Sequence, residues 1–287
     1  MAEDHPQYKD RLFNFIFGSE ENKAWTLSLY NAINGSNYTD PDAIEIATIK
    51  EIMYLGMRND VAFLITEEMN LFEHQATYNP NMPLRLMQYA GNLYEKYITE
   101  RKLNKYGKTL VKLPAPKLVV FYNGTDEQED ETILKLSDSF PEGADFDIEV
   151  KVRMLNVNYG RNCKLLEACR PLGEYAWIVQ EVRKNNTRED LDSAIDRAIA
   201  DMPDEFFIKP FLMAHRAEVK GMLLTEYNEA ETMELFKEEG RVEGRKEGKL
   251  ENAKQAAMNL LRIGKLTLAE IAESVGLPMA EVQKIAQ

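Results

Sequence analysis

The chain has 287 residues, and its 48 acidic residues outnumber its 35 basic ones, so that the formal net charge is −13. Apolar residues at 44% and charged residues at 29% are typical of a soluble globule and argue against disorder throughout. Only two cysteines occur, Cys163 and Cys169, which excludes a disulfide framework and makes zinc binding improbable. Neither a membrane-spanning apolar run nor a secretory leader is recognisable, so we expect a cytoplasmic protein without a membrane partner.

The acidic residues are concentrated in one segment. Residues 123–149 contain ten acidic residues and a single basic one, Lys135. An acidic protein is not expected to coat DNA passively, because that affinity comes mainly from neutralising phosphates. The charge does not exclude an enzyme that gathers carboxylates to hold a metal. We interpret the segment itself as solvated surface.

The first half of the chain reads as a helical region, three strands and a helix. Apolar spacing predicts helical structure from Lys9 to about Ile33, with a break at Gly18 and a cap at Ser19. Alternating apolar residues predict short strands, and the last two of these form a hairpin. A helix with one apolar stripe follows, with Pro83 at its start. The strands cover 43–49, 59–65 and 71–77, and the helix covers 84–98.

The second half adds two strands and a helical region. Residues 116–122 form a continuous apolar run, which predicts a strand buried on both faces. Residues 146–156 alternate again, and 160–232 read as helices interrupted near Pro171, Pro203 and Pro210. The fold class expected from this order is mixed α/β, or α+β.

Beyond residue 232 the composition changes. Gly240, Gly244 and Gly248 recur every four residues in a segment rich in both charges. A glycine inside a helix costs about 0.8–1 kcal/mol relative to alanine, so a regular row of glycines needs a reason. Two interpretations stay open: close helix contact in a self-associating connector, which would make the protein a homo-oligomer, or a frayed charged linker.

The last thirty residues are typical of a small helical tail. Thr267 and Glu270 have capping-box spacing, Gly276 ends that helix and Pro278 opens another, as in a helix-turn-helix. The second helix offers few side chains that could read bases. We therefore favour a protein-interaction cap over a major-groove reader. The domains expected are 1–232, a connector at 233–257 and the tail at 258–287.

The hairpin carries the candidate chemistry. Glu73 and Gln75 share one face of their strand, because side chains alternate across it. If the hairpin pairs Leu64 with Leu71, then Asp60 lies opposite Gln75 and diagonal to Glu73, and both carboxylates can reach one cation. Two carboxylates with waters and a phosphate suit Mg²⁺, which can polarise a phosphate and activate water. The alternative is that both acids are simply solvated.

The same region resembles a known family. The resemblance rests on NDVAFLI at 59–65, EHQAT at 73–77 and NPNMPLR at 79–85, followed by Tyr89 and residues 94–96. These resemble the Rpn family of recombination-promoting nucleases, also described as transposases, within the PD-(D/E)xK nuclease superfamily. The resemblance is specific over 57–98 and extends plausibly over 8–230. It implies a restriction-endonuclease-like core in the order α-β-β-β-α-β with a C-terminal helical extension.

The resemblance also implies roles for individual residues. Asp60 and Glu73 would bind a divalent metal, Mg²⁺ or Mn²⁺, and DNA would be the substrate. Gln75 stands where the superfamily usually has lysine, so it brings no charge to the phosphate. Glu21 resembles the accessory acid that some members add to the metal site, and Glu20 is an equal candidate.

Two further residues have alternative roles. Arg85 could contact a substrate phosphate or form a structural ion pair. His74 is expected to point away from the metal face and to pack or hydrogen bond there.

The resulting hypothesis is a metal-dependent DNA endonuclease that promotes recombination. The alternative from another class is a nuclease fold that has lost catalysis and acts as an interaction or regulatory module through its tail. A helix-turn-helix regulator is a third reading.

Overall fold

The structure is a computed structural model that describes residues 12–47 and 61–286. The chain divides into two compact units, Met1–Asn228 and Glu229–Gln287. The first unit combines a sheet with helices, which confirms the mixed α/β class. The second unit is helical in its described residues.

One mixed sheet organises the first unit. The described residues contain six strands in this sheet: β1 (Glu45–Ile46), β2 (Val61–Ile65), β3 (Glu68–Gln75), β4 (Ala115–Tyr122), β5 (Glu131–Lys135) and β6 (Lys151–Asn156). Their order across the sheet is β1-β2-β3-β4-β6-β5. β1, β2 and β3 are antiparallel neighbours, β3, β4 and β6 run parallel, and β5 pairs antiparallel with β6.

Helices precede, connect and follow these strands. The first unit contains α1 (Leu12–Phe17), α2 (Lys23–Asn34), α3 (Met82–Glu100), α4 (Cys163–Ala168), α5 (Arg170–Asn186), α6 (Leu191–Ala200) and α7 (Lys209–Ala214). Next come α8 (Arg216–Ile263), α9 (Leu268–Val275) and α10 (Met279–Ile285). Short 3₁₀ helices lie at Glu20–Asn22, Pro41–Ala43 and Leu136–Ser139. Within the described ranges, we find no helix with the length and apolar character needed to cross a bilayer.

The sheet separates two apolar cores because side chains alternate along each strand. On one face Phe63, Phe72 and Phe121 pack with residues of α1, α2 and α5. On the other face the sheet residues pack with α3, the crossover helix that joins the parallel strands β3 and β4. Both cores are continuous clusters of buried side chains, so the sheet is covered on both faces.

Most predicted elements are found close to their expected bounds. The strand predicted at 116–122 is β4, and the helix predicted at 84–98 is α3. The strand predicted at 146–156 is shorter and begins at Lys151. The acidic segment 123–149 is exposed over most of its length, but it also contains β5, which was not predicted. β5 forms because Leu134 is buried and the strand pairs with β6.

The hairpin register differs from the expected one. β2 and β3 are joined by a two-residue turn, Thr66 and Glu67, which makes Leu64 pair with Met69 and Ala62 pair with Leu71. The expected pairing of Leu64 with Leu71 is therefore wrong by two residues. Thr66 adopts the left-handed region, with φ 53°, and this conformation allows the tight turn.

The tail has its own small core. Ala257, Ile271, Leu277 and Val282 are buried together between the end of α8 and the helices α9 and α10. The capping box is present: the Thr267 side chain accepts from the Glu270 N–H, and the Glu270 carboxylate accepts from the Thr267 N–H at 2.8 Å.

Glycine ends the first tail helix as expected. Gly276 adopts the left-handed conformation with φ 69° and caps α9. Gly248 lies within α8, where an added Cβ would meet no atom of the described residues within 4 Å. No packing contact among the described residues accounts for Gly248, and self-association stays a prediction.

Candidate metal and phosphate site

Strand β3 presents its two candidate site residues to the face covered by α3. Glu73 and Gln75 follow Met69 and Leu71 on that face, since alternate residues share a side. Glu73 is only 2% exposed and Gln75 is 6% exposed. A buried carboxylate is costly unless it is paired or hydrogen bonded, so the surroundings of Glu73 must offset this cost.

Arg85 is one such partner. It lies one turn into α3, and its Nη2 is 4.0 Å from Glu73 Oε2. The same guanidinium donates to Tyr89 Oη at 3.1 Å, and Nη1 is 3.4 Å from Met82 Sδ. The Arg85 side chain is still 36% exposed. The structure therefore shows the ion pair, and it also leaves part of the Arg85 side chain open to solvent.

Gln75 has one satisfied and one unsatisfied end. Its amide Nε2 lies 2.6 Å from Met82 Sδ. Its Oε1 is buried and has no hydrogen-bond partner among residues 12–47 and 61–286. Leaving a buried acceptor unpaired costs about 1–3 kcal/mol. Oε1 is thus an oxygen acceptor that the described fold does not use, on the same strand face as Glu73.

Asp60 lies outside the described residues. It is the residue before Val61 in the sequence, and Val61 pairs with Phe72, the residue before Glu73. Among the side chains that the structure describes, no group of three or more His, Cys, Asp or Glu residues is close enough to hold a metal ion. The acid and amide oxygens that are present, Glu73 and Gln75, are of the donor type that Mg²⁺ and Mn²⁺ prefer.

The two accessory-acid candidates lie in the 3₁₀ helix between α1 and α2. Ser19 caps this turn by accepting from the Glu21 N–H at 3.2 Å, as predicted. Both acids are exposed, and Glu20 pairs with Lys23 at 2.8 Å. Their helical layer packs on the sheet face opposite to Glu73. A role of Glu21 in the metal site stays a prediction.

His74 points to the other face, as expected from strand alternation. Its Nε2 is 2.8 Å from Tyr175 Oη, and its ring stacks on Phe13 with centroids 5.3 Å apart. Asn123 Nδ2 donates to the same tyrosine oxygen at 3.1 Å. This buried network joins β3, the end of β4 and helix α5 directly behind Glu73 and Gln75. Residue spacing alone did not reveal the network, because its members lie about 50 or more residues apart.

Polar side chains gather where the parallel strands end. Arg183 on α5 donates to the Asn123 carbonyl and, at 2.8 Å, to Asn158 Oδ1. Asn158 Nδ2 donates to the Gly124 carbonyl at 3.0 Å. Gly124 is required here because an added Cβ would overlap the carbonyl oxygen of Ala76. These contacts fix the carboxyl ends of β3 and β4, where open α/β sheets commonly bind ligands.

Comparisons of the chain with family models, with curated proteins and with solved structures gave no match.

Proposed function

We propose that this chain is a metal-dependent DNA endonuclease with a PD-(D/E)xK core of the Rpn type, acting in DNA recombination. The order of elements supports the core: a helical layer, three antiparallel strands, the crossover helix α3 and the parallel strand β4. The observation that carries the proposal is Glu73, an acid kept almost fully buried beside the unused amide oxygen of Gln75.

Each residue has a distinct task in this proposal. Asp60 and Glu73 would hold Mg²⁺ or Mn²⁺, which when bound supplies positive charge to the scissile phosphate. Gln75 would accept a hydrogen bond from the attacking water and orient it, since it has no charge to offer. The Arg85 guanidinium would donate to a phosphate oxygen. Glu21 would add a further carboxylate.

The proposed endonuclease activity is tested by incubating the purified full-length chain with supercoiled plasmid and Mg²⁺ or Mn²⁺ and measuring cleavage. We expect Glu73→Gln and Asp60→Ala each to lower the cleavage rate by at least about 100-fold, because each removes a charged ligand. Glu67→Gln, an exposed acid in the β2–β3 turn, is the matched control and should cleave like the wild type. Equal nicking by wild type, Asp60→Ala and Glu73→Gln would rule out this site.

A second candidate function has its own support. Glu73 already faces the Arg85 guanidinium, and Gln75 replaces the usual lysine, as expected of a nuclease fold that has lost catalysis and serves as an interaction module through its tail. Titration calorimetry with Mn²⁺ separates the two candidates. An active site should give binding that disappears in Glu73→Gln. A catalytically dead module should show no binding that depends on Glu73.

A further inference from the structure

The loop between α3 and β4 has the opposite charge to the rest of the molecule. Residues 101–117, called the basic loop, comprise this loop and the first three residues of β4. They contain six of the 35 basic residues and no acidic residue, whereas the whole chain carries −13. The side chains of this loop are exposed along most of its length. A cluster of cations on an otherwise acidic protein creates a local positive potential, which attracts anions to this part of the surface.

The basic loop is anchored at both ends. At its start the Leu103 N–H donates to the Ile98 carbonyl at 2.9 Å, and the Tyr106 N–H donates to Asn104 Oδ1 at 3.0 Å. At its end Tyr94 Oη donates to the Pro114 carbonyl at 2.8 Å, and β4 then begins. The exposed cations therefore lie on a loop whose two ends are held in place by hydrogen bonds.

Half of the six cations already have acidic partners. Arg101 pairs with a glutamate of β1 at 2.9 Å, Lys105 with one of α3 at 2.5 Å, and Lys117 with one of β3 at 3.3 Å. The other three, Lys102, Lys108 and Lys112, are exposed and form no ion pair with any side chain that the structure describes. These three lysines are available to an outside anion.

In the sequence, two large apolar residues alternate with the unpaired lysines. Tyr106 is 89% exposed and Leu110 is 79% exposed, more than any other large hydrophobic residue in the described part of the chain. Apolar side chains that stay exposed contribute no hydrophobic stabilisation to the fold. The Tyr106 ring is exposed although Lys105 Nζ lies 5.6 Å from its centroid. Alternation of lysines with an exposed aromatic ring suits nucleic acid, because lysines pair with phosphates and a ring can stack on a base or sugar.

We infer that the basic loop is a docking surface for the phosphate backbone of a nucleic acid. An anionic membrane fits less well, because surface binding to lipid typically uses a helix with a broad apolar face, and residues 103–114 contain no helix. The inference does not depend on catalysis at Glu73, since it rests on different residues.

The position of the loop suits a substrate that also reaches the strand face of Glu73. Ala115, where the loop joins β4, pairs with Glu68 at the start of β3, and Glu73 lies five residues further along that strand. At about 3.3 Å per residue this separation is about 17 Å. It corresponds to about five nucleotides along one DNA strand. A nucleic acid bound at the loop would therefore have to extend by about five nucleotides to reach the level of Glu73 along β3.

Binding of full-length protein to a short fluorescent DNA, single-stranded or duplex, tests the inference by anisotropy in EDTA, where cleavage cannot contribute. The loop variant is Lys102→Glu, Lys108→Glu and Lys112→Glu combined. The matched control reverses three exposed cations elsewhere, Lys135→Glu, Lys164→Glu and Arg188→Glu, and so changes net charge equally.

We expect the loop variant to bind at least one of the two DNA probes at least about tenfold more weakly than the control variant. The slope of log affinity against log salt should fall by about three, one for each lost phosphate contact. Circular dichroism checks that both variants are folded.

Two outcomes would overturn the inference. In the first, loop and control variants bind both probes equally well. In the second, the wild type binds neither probe but binds phosphatidylserine vesicles in a loop-dependent way, which would assign the surface to lipid. Plasmid cleavage tests Glu73 in the presence of metal, whereas binding in EDTA tests the three lysines, so the nuclease proposal and the docking surface can fail separately.

Discussion

Tyr175 is the residue on which the polar contacts behind the candidate site converge. Its hydroxyl is bonded to His74 on β3 and to Asn123 after β4, and all three residues are buried. Groups buried in this way lose their water on folding, so each depends on its partner. The network thus ties the strand that carries Glu73 and Gln75 to helix α5.

Removing this hydroxyl should destabilise the protein. We expect Tyr175→Phe to lower the free energy of unfolding by about 1–2 kcal/mol, because His74 and Asn123 each lose a buried hydrogen bond. Urea denaturation followed by circular dichroism measures the change. Tyr159→Phe, which changes a half-exposed tyrosine, should differ from wild type by less than about 0.5 kcal/mol. Equal effects of both substitutions would show that the network contributes nothing.

Sequence alternation predicted which site residues share a face, but it could not predict their contacts. Glu73 and Gln75 are expected on one face and His74 on the other, because the period of a strand is two. The approach of Arg85 to Glu73 depends on how α3 packs on the sheet, and the link from His74 to Tyr175 joins residues 101 positions apart. Such contacts follow from tertiary packing and leave no local pattern.

At the scale of elements, the hairpin shows where local signals fail. The predicted loop at 66–70 is in fact a two-residue turn, and Met69 and Asn70 belong to β3. Turns of this kind are usually marked by Asn-Gly or Gly, and here Thr66 adopts the positive φ instead. β5 was missed for another reason, since an acid-rich edge strand has little apolar alternation. By contrast β4, a continuous apolar run, was predicted within one residue.

Two glycines on neighbouring elements should respond to alanine in opposite directions. At Gly124, after β4, an added Cβ would overlap the Ala76 carbonyl and lie 2.5 Å from Tyr122 Oη, so backbone must move. We expect Gly124→Ala to cost about 1–3 kcal/mol. Gly91 lies exposed inside α3, where an added Cβ meets no described atom within 4 Å. Gly91→Ala should stabilise by about 0.5–1 kcal/mol, through better helix propensity.

Chemical denaturation of both glycine variants measures these changes. The contrast of sign is the informative result, because both substitutions add the same methyl group. Destabilisation of similar size at both positions would contradict the close approach described at the end of β4.

At the scale of the whole molecule, the tail unit is the predicted site of self-association. Gly248 has open space around its Cα, and the small core of the tail is complete without it. We expect the full-length chain to form a larger oligomer than a chain that ends at Asn228, the end of the first unit. Sedimentation velocity of both proteins at matched concentration measures this. The same oligomeric state in both proteins would contradict self-association through the tail unit.

The sequence also held the signal for the basic loop. Six cations without an acid over 17 residues can be counted directly from the sequence. What the sequence could not supply is which cations already have partners, because these partners lie on β1, α3 and β3. The exposure of Tyr106 likewise depends on the folded loop.

The placement of β5 gives the acidic segment a use that its composition did not suggest. β5 is an outer strand of the sheet, and such a strand offers unpaired N–H and C=O groups to any other strand. Of the ten acidic residues of 123–149, Glu131 lies in this strand and the other nine flank it in the sequence. Two copies that approached through β5 would bring twenty carboxylates together, and their repulsion opposes edge-to-edge pairing of the two sheets.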